Sequence, residues 1–166
     1  MSQSTHDTPH VAVVIPALDE ESALPLVLAA IPRDLADIVV VVDNGSRDRT
    51  AEVAREGGAF VVHEPRRGYG RACLAGLEAV LEGRDGITPM RSRDVVVFLD
   101  ADRSDFPEEM PIVAGPVLSG EADLVIGSRM IDRASRAALL PQARFGNRLA
   151  CFLMRLLFGA RYTDLG

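Results

Sequence analysis

Lysine is absent from this 166-residue chain, and all 18 of its basic residues are arginine. An arginine-only complement reads as codon bias with room for some phosphate recognition, since a planar guanidinium pairs with phosphate bidentately. A basic balance is missing too: the formal net charge is −6. Without a dense basic face, the composition argues against nucleic acid as the main partner. Cysteine is scarce. Cys73 and Cys151 have no metal-type spacing and frame no disulfide scaffold, so a reducing cytoplasm is the expected setting. No uncharged apolar run reaches the roughly 20 residues of a membrane span. The polar start MSQSTHDTPH lacks the apolar core of a secretion signal. Internal repeats and linker-like stretches are also missing.

What is present suits one globular domain. The chain is 48% hydrophobic and 25% charged, and its length allows a real core. Residues 1–9 read as a disordered lead and 10–166 as a single domain. Apolar, β-branched runs alternate with helical patterns. The runs are Val11–Ile15, Ile38–Val42, Phe60–Val62, Val95–Leu99 and Leu124–Ile126. They are continuous, as strands covered on both faces should be. The first helix follows from Leu24, Val27, Leu28 and Ile31, with Ser22 as its N-cap. Asp48 caps a second helix, which Gly57-Gly58 ends. Cys73, Leu77, Val80 and Leu81 mark the buried stripe of a third. A fourth starts near Pro107, and a fifth spans 143–158. This order predicts an α/β fold with a mostly parallel, Rossmann-like sheet and helices on both faces.

In open parallel sheets, ligands bind beyond the carboxyl ends of the strands. All five runs end in chemistry-bearing residues: Pro16 to Glu20, Asp43 to Ser46, Glu64 to Arg71, Asp100 to Asp102, and Gly127 to Arg129. Asp100 and Asp102, one residue apart after a buried strand, can share a hard divalent cation that cancels their repulsion; Mg²⁺ or Mn²⁺ suits such oxygen donors. Asp43, at a strand end, can accept bonds from a base or ribose, while Asn44, Gly45 and Asp48 read as turn and cap chemistry. Gly68-Tyr69-Gly70 opens a helix whose amides can approach an anion, but Cys73 breaks the dinucleotide-binding glycine pattern. Arg129 can face a diphosphate. His63 reads as structural.

The segments VVIPALDEE, VVVDNGSRDRT, RRGYGRACLAGL, VVVFLDADRSDFPEEM and ADLVIGSR, in this order, resemble the family 2 glycosyltransferases of GT-A fold. Within that family the chain looks most like the dolichyl- or polyprenyl-phosphate sugar synthases and related bacterial enzymes. The resemblance covers residues 10–166. It implies that Pro16, Leu18 and Glu20 line a nucleotide pocket with Asp43 at the base, and that Arg67, Gly68 and Gly70 stand in the loop beside it. Asp100, Ala101 and Asp102 would be the metal-dependent D-x-D, with Asp100 and Asp102 on Mg²⁺ or Mn²⁺ and Ser104 nearby. Arg129 would act at the diphosphate; Arg144, Asn147 and Asp164 would lie on the acceptor side. Asp19 and Ser104 depart from the residues common in relatives.

The implied activity is inverting transfer of a sugar from a UDP- or GDP-linked donor to a sugar hydroxyl or a polyprenyl phosphate. Relatives continue past YTDLG, so the resemblance also implies a chain that stops before the acceptor-side portion. The alternative is a non-catalytic nucleotide-sugar-binding or partner-binding domain. A dehalogenase-like phosphatase would carry its D-x-D after the first strand, not the fourth. The helix around 144–158 mixes Phe145, Leu149, Phe152, Leu153 and Leu156 with Arg144, Arg148 and Arg155. It suits core packing with an arginine edge, peripheral contact with an anionic inner-membrane face, or pairing of two chains.

Overall fold

Val11–Ala17 forms β1, and every one of its seven residues is buried. Only a strand paired on both edges and covered on both faces meets that condition. In the computed structural model, residues 8–127 and 141–159 are described. The elements after β1 are α1 (Leu24–Ala30), β2 (Ile38–Asp43), α2 (Thr50–Glu56), β3 (Phe60–His63), α3 (Tyr69–Glu82), β4 (Val95–Phe98), α4 (Met110–Leu118) and α5 (Pro141–Phe158). The chain divides into two units, Met1–Asp123 and Leu124–Gly166. The first holds the sheet; the second contains α5.

The sheet order is β3-β2-β1-β4, all parallel. β1 pairs from Ala12 with Ile38 to Ala17 with Asp43 on one edge, and from Val11 with Val95 to Val14 with Phe98 on the other. Strand parity sorts the core into two layers. Val11, Val13, Ile15 and Ala17 pack with Leu24 and Leu28 of α1, Ala54 of α2, and Met110 and Ala114 of α4. Ala12, Val14, Val40 and Val42 pack with Ala72, Ala79 and Val80 of α3. The predicted α/β sheet with helices on both faces is observed.

Three local expectations need correction. Ser22 does not cap α1; the N-cap position is Ala23, with no side-chain cap bond, and the Leu24 amide instead bonds the Glu20 carbonyl. The buried face of α3 is Ala72, Gly76, Ala79 and Val80, whereas Leu81 is exposed. Val80 is buried as expected and Leu77 packs against that core, but close helix–sheet contact selects small side chains at the other buried positions. Leu124–Ile126 forms no strand; Leu124 is 73% and Ile126 53% exposed. An apolar triplet becomes a strand only if it finds a pairing edge.

Gly76 sets the approach of α3. A Cβ there would lie 2.4 Å from Val14 Cγ1 and 2.9 Å from Val42 Cγ2. Gly76→Ala is therefore expected to destabilise the fold by about 1–3 kcal/mol through overpacking, read as a lower urea midpoint at constant slope. An unchanged midpoint would show that α3 is not pressed against the sheet.

Candidate functional site

The winding of the sheet creates the site. β1, β2 and β3 step outward in one direction, with α1 and α2 on one face. α3 then carries the chain over the opposite face to β4, on the far side of β1. The chain leaving β3 passes to the α3 face, whereas the loops leaving β1 and β4 return to the face of α1 and α4, and a crevice opens between the start of α3 and the ends of β1 and β4, where the strand order reverses. A cleft of about 360 Å³ lies there. Its walls are Pro16 and Ala17 at the end of β1 with Leu18 and Glu20 after it, Asn44 after β2, Gly68, Tyr69 and Ala72 at α3, and Asp100, Ala101 and Asp102 after β4. Seven residues predicted from sequence therefore converge: Pro16, Leu18, Glu20, Gly68, Asp100, Ala101 and Asp102.

Asp43, Arg67 and Gly70 are not among the lining residues. Asp43 is 7% exposed and engaged internally. Its Oδ1 accepts the Ser46 amide at 2.9 Å, and its Oδ2 lies 3.0 Å from His63 Nδ1. Arg55 stands 3.1 Å from His63 Nε2. A guanidinium can only donate, so Nε2 accepts and Nδ1 carries the proton to Asp43. His63 is thereby tied to both Asp43 and Arg55. Arg67 donates to the Gly45 carbonyl at 3.2 Å. Arg129 and Asp164 lie outside the described residues, as do most of residues 1–9. Arg144 and Asn147 fall within α5, but their side chains are outside the described set.

Asn44 is what the sequence reading passed over as turn chemistry. Buried to 4% exposure, it donates to the carbonyls of Glu64 and Arg66, both at 2.9 Å, and its Oδ1 accepts the Gly68 amide at 2.7 Å. It ties the β3–α3 loop to the end of β2 and commits the Gly68 amide internally. The signal was an Asn directly after a fully buried strand, where an unsatisfied amide would be costly. Across the cleft, the β1–α1 and β2–α2 loops are zipped together. The Glu20 amide donates to Thr50 Oγ1 at 2.8 Å and the Glu21 amide to Asp48 Oδ2 at 3.0 Å. Asp48 is not the N-cap of α2, which is Arg49 with no side-chain cap bond; standing one residue earlier, it accepts the Thr50 amide at 2.9 Å and bridges the two loops.

The carboxylates after β4 are individually held. Asp100 Oδ1 accepts the Tyr69 hydroxyl at 3.0 Å, and the Asp100 amide donates to Asp105 Oδ2 at 3.0 Å. Asp102 Oδ1 accepts the Ser104 amide at 2.8 Å. Arg103 between them has φ +62°, a left-handed conformation costing about 1 kcal/mol or more that the turn must hold. Asp105 is therefore a brace of the turn. Partial desolvation on the cleft wall, reinforced by the hydrogen bond to Asp100, raises the Tyr69 phenol above its ordinary range, so it stays a donor. Burial and the charges of Asp102, Asp48 and Asp19 raise the Glu20 carboxyl.

This donor set fits a hard divalent cation. Among the described residues no group of three or more His, Cys, Asp or Glu is placed to hold a metal. Two carboxylates beside an open cleft instead match the way Mg²⁺-like ions bind through one or two carboxylates, with their other positions left for phosphate oxygens. The negative field that raises Glu20 is one that such an ion would relieve.

Carboxylates outside the cleft shape the acid limb of stability. Hydrogen bonds from the Arg66 side chain and amide hold Glu64 below its ordinary 4.5. Asp94, raised by burial, is pulled below its ordinary 3.8 by the Arg91 and His10 amides. Both bind protons more weakly folded than unfolded, so their stabilisation is present above these values and lost as pH falls through them. Glu20 acts in the opposite sense: its ionisation above 4.5 costs stability. Thermal midpoints are expected to be level from about pH 7 to 5 and to drop below that, with added Mn²⁺ raising the plateau. Protonation of Glu20 works against this drop, so the discriminating region is below about pH 4, where a midpoint that fails to fall would contradict the assignment of Glu64 and Asp94.

Comparison with known proteins converges on one group. The family model described as Glycosyl transferase family 2 matches residues 12–159. An uncharacterized glycosyltransferase of Mycobacterium tuberculosis is 45% identical over 119 residues, covering 72% of this chain and 48% of its own. An undecaprenyl-phosphate 4-deoxy-4-formamido-L-arabinose transferase of Pseudomonas aeruginosa is 34% identical over 169 residues, covering 94% of this chain and 44% of its own. The crystal structure of glucosyl-3-phosphoglycerate synthase from Mycobacterium tuberculosis, in complex with Mn²⁺, UDP and glucosyl-3-phosphoglycerate, superposes with a TM-score of 0.55 at 34% identity. That match covers 68% of this chain and 41% of the other. The chain spans about half the length of the curated relatives it matches.

Proposed function

Since the chain belongs to glycosyl transferase family 2, we propose that it supplies the donor half of a cation-dependent, inverting sugar transfer from a nucleoside-diphosphate sugar. The observation that carries this reading is the cleft at the β1/β4 switch point, where Asp100 and Asp102 face Pro16, Leu18 and Glu20 across about 360 Å³. The apolar wall at Pro16–Leu18 suits a base, and the carboxylate edge suits the diphosphate end. A divalent cation on Asp102 and Asp100 would offset the charge that builds on the departing nucleoside diphosphate. The chain's own contribution is positional: the braced turn after β4 and the Asn44 clamp hold both walls before the donor arrives. The bond from the anomeric carbon to the diphosphate breaks as the acceptor oxygen attacks from the opposite face.

We take the acceptor to be a polyprenyl phosphate. Such a phosphate is already ionised near neutral pH and needs no general base, and one relative is named for transfer involving undecaprenyl phosphate. α5 supports this choice. Its Leu149, Phe152, Leu156 and Leu157 are exposed, Arg148 and Arg155 are exposed as well, and the helix holds no acidic residue. That combination suits peripheral contact with an anionic bilayer. No described helix is long and apolar enough to cross one.

Calorimetry with UDP-glucose and GDP-mannose, with and without Mn²⁺, tests the donor reading. Mn²⁺-dependent binding of one of them is expected, and binding indifferent to Mn²⁺ would overturn the cation's role. Sugar transfer to a short polyprenyl phosphate then separates an enzyme from a binding domain.

A further inference from the structure

Tyr69 is the first residue of α3, and 62% of it is exposed. Hydrophobic burial does not account for its presence there. Its hydroxyl has a defined partner: it reaches across 31 residues of sequence to Asp100 Oδ1, at 3.0 Å. We propose that Tyr69 is a positioning residue, holding the Asp100 carboxylate in the orientation that a divalent cation and its diphosphate require. This rests on the cation reading above.

The geometry divides the work between the two Asp100 oxygens. Oδ1 is taken by Tyr69, whereas Oδ2 has the Ser104 hydroxyl at the long distance of 3.5 Å. Oδ2 is thus the oxygen left to face a ligand. The main chain at Asp100 is fixed by its own bond to Asp105, so side-chain rotation is the remaining freedom, and the phenol removes it. The phenol is itself well anchored. The residue before it, Gly68, is clamped through its amide to Asn44 at 2.7 Å. Tyr69 therefore joins the end of β2, through α3, to the turn after β4, and sits on the cleft wall with both. Hydrogen bonds of this kind to a ligating carboxylate typically carry 10–100-fold in metal affinity.

The test is Tyr69→Phe, which keeps the ring and removes the hydroxyl. The dissociation constant for Mn²⁺ is read from the free-ion paramagnetic resonance signal in the presence of UDP. We expect roughly tenfold weaker Mn²⁺ binding, a thermal midpoint lowered by no more than about 4 °C, and unchanged UDP affinity in the absence of Mn²⁺. A merely structural role would instead lower the midpoint further and weaken UDP binding in both conditions. A double-mutant cycle keeps the proposal exposed: in an Asp100→Ala background, Tyr69→Phe should cause little further loss. Full additivity of the two losses would overturn the positioning role, as would Mn²⁺ binding equal to that of the parent. If the parent chain itself binds no Mn²⁺ with UDP present, the cation reading falls and this proposal falls with it.

Discussion

Asp102→Ala is expected to lower kcat/KM for sugar transfer by about 100-fold or more, the scale seen when one preorganised electrostatic contact to developing charge is removed. The Mn²⁺-dependent part of nucleotide-sugar binding should vanish with it. Folding stability should barely change. The variant loses the 2.8 Å bond from the Ser104 amide, a net contribution of about 1 kcal/mol. It also removes the charge that raises Glu20, and the two effects oppose each other. The decisive comparison is therefore activity against unfolding midpoint. Lost activity with an intact midpoint places Asp102 in the chemistry. Equal loss of both would reduce it to a turn-former beside Arg103. Retained, Mn²⁺-dependent turnover would remove it from the site altogether.

Asn44→Ala should be the most damaging single change to the fold among the residues around the cleft. Two carbonyls and one amide lose their partner together, in a place where Asn44 is 4% exposed. Each unsatisfied buried group costs on the order of 1–3 kcal/mol. Water reaching the loosened loop recovers some of this, so a net loss of about 3 kcal/mol is expected in urea titrations. The Gly68 amide should exchange with solvent faster by a comparable factor, because its acceptor is gone. Asn44→Asp makes a useful contrast: it keeps an acceptor for Gly68 but sets a carboxylate against the Glu64 and Arg66 carbonyls, and it should be no better tolerated. A midpoint shift under about 0.5 kcal/mol, the size of an ordinary surface change, would show that the loop does not depend on this clamp.

The contrast between Asp43 and Asn44 shows where a sequence reading stops. Both were visible at the end of an apolar run. Asp43 was the more suggestive as a ligand contact, and Asn44 the more ordinary. Their backbone positions differ by one residue, but at a strand end one residue decides which side of the sheet a side chain meets. Asp43 turns to the Ser46 amide and His63, whereas Asn44 turns to the loop that walls the cleft. The face each meets depends on where β3 and its following loop lie, and no local pattern encodes that.

Properties carried by short stretches of chain were legible from the residues alone. β1 and β2 are continuous β-branched runs because both their faces are covered, and Gly57 and Gly58 end α2 because the chain must turn there. Asp100 and Asp102 stand at a strand's carboxyl end for the same local reason: the apolar run before them stops. Only the tertiary structure decided that β4 lies beside β1, that α3 meets the sheet through Ala72, Gly76 and Ala79, that 124–126 pairs with nothing described, and that Tyr69 touches Asp100. Each of these depends on contacts between residues far apart in sequence. Pairing edge, helix phase and cleft wall are settled by which surfaces pack most closely, and that choice is made by the folded chain as a whole.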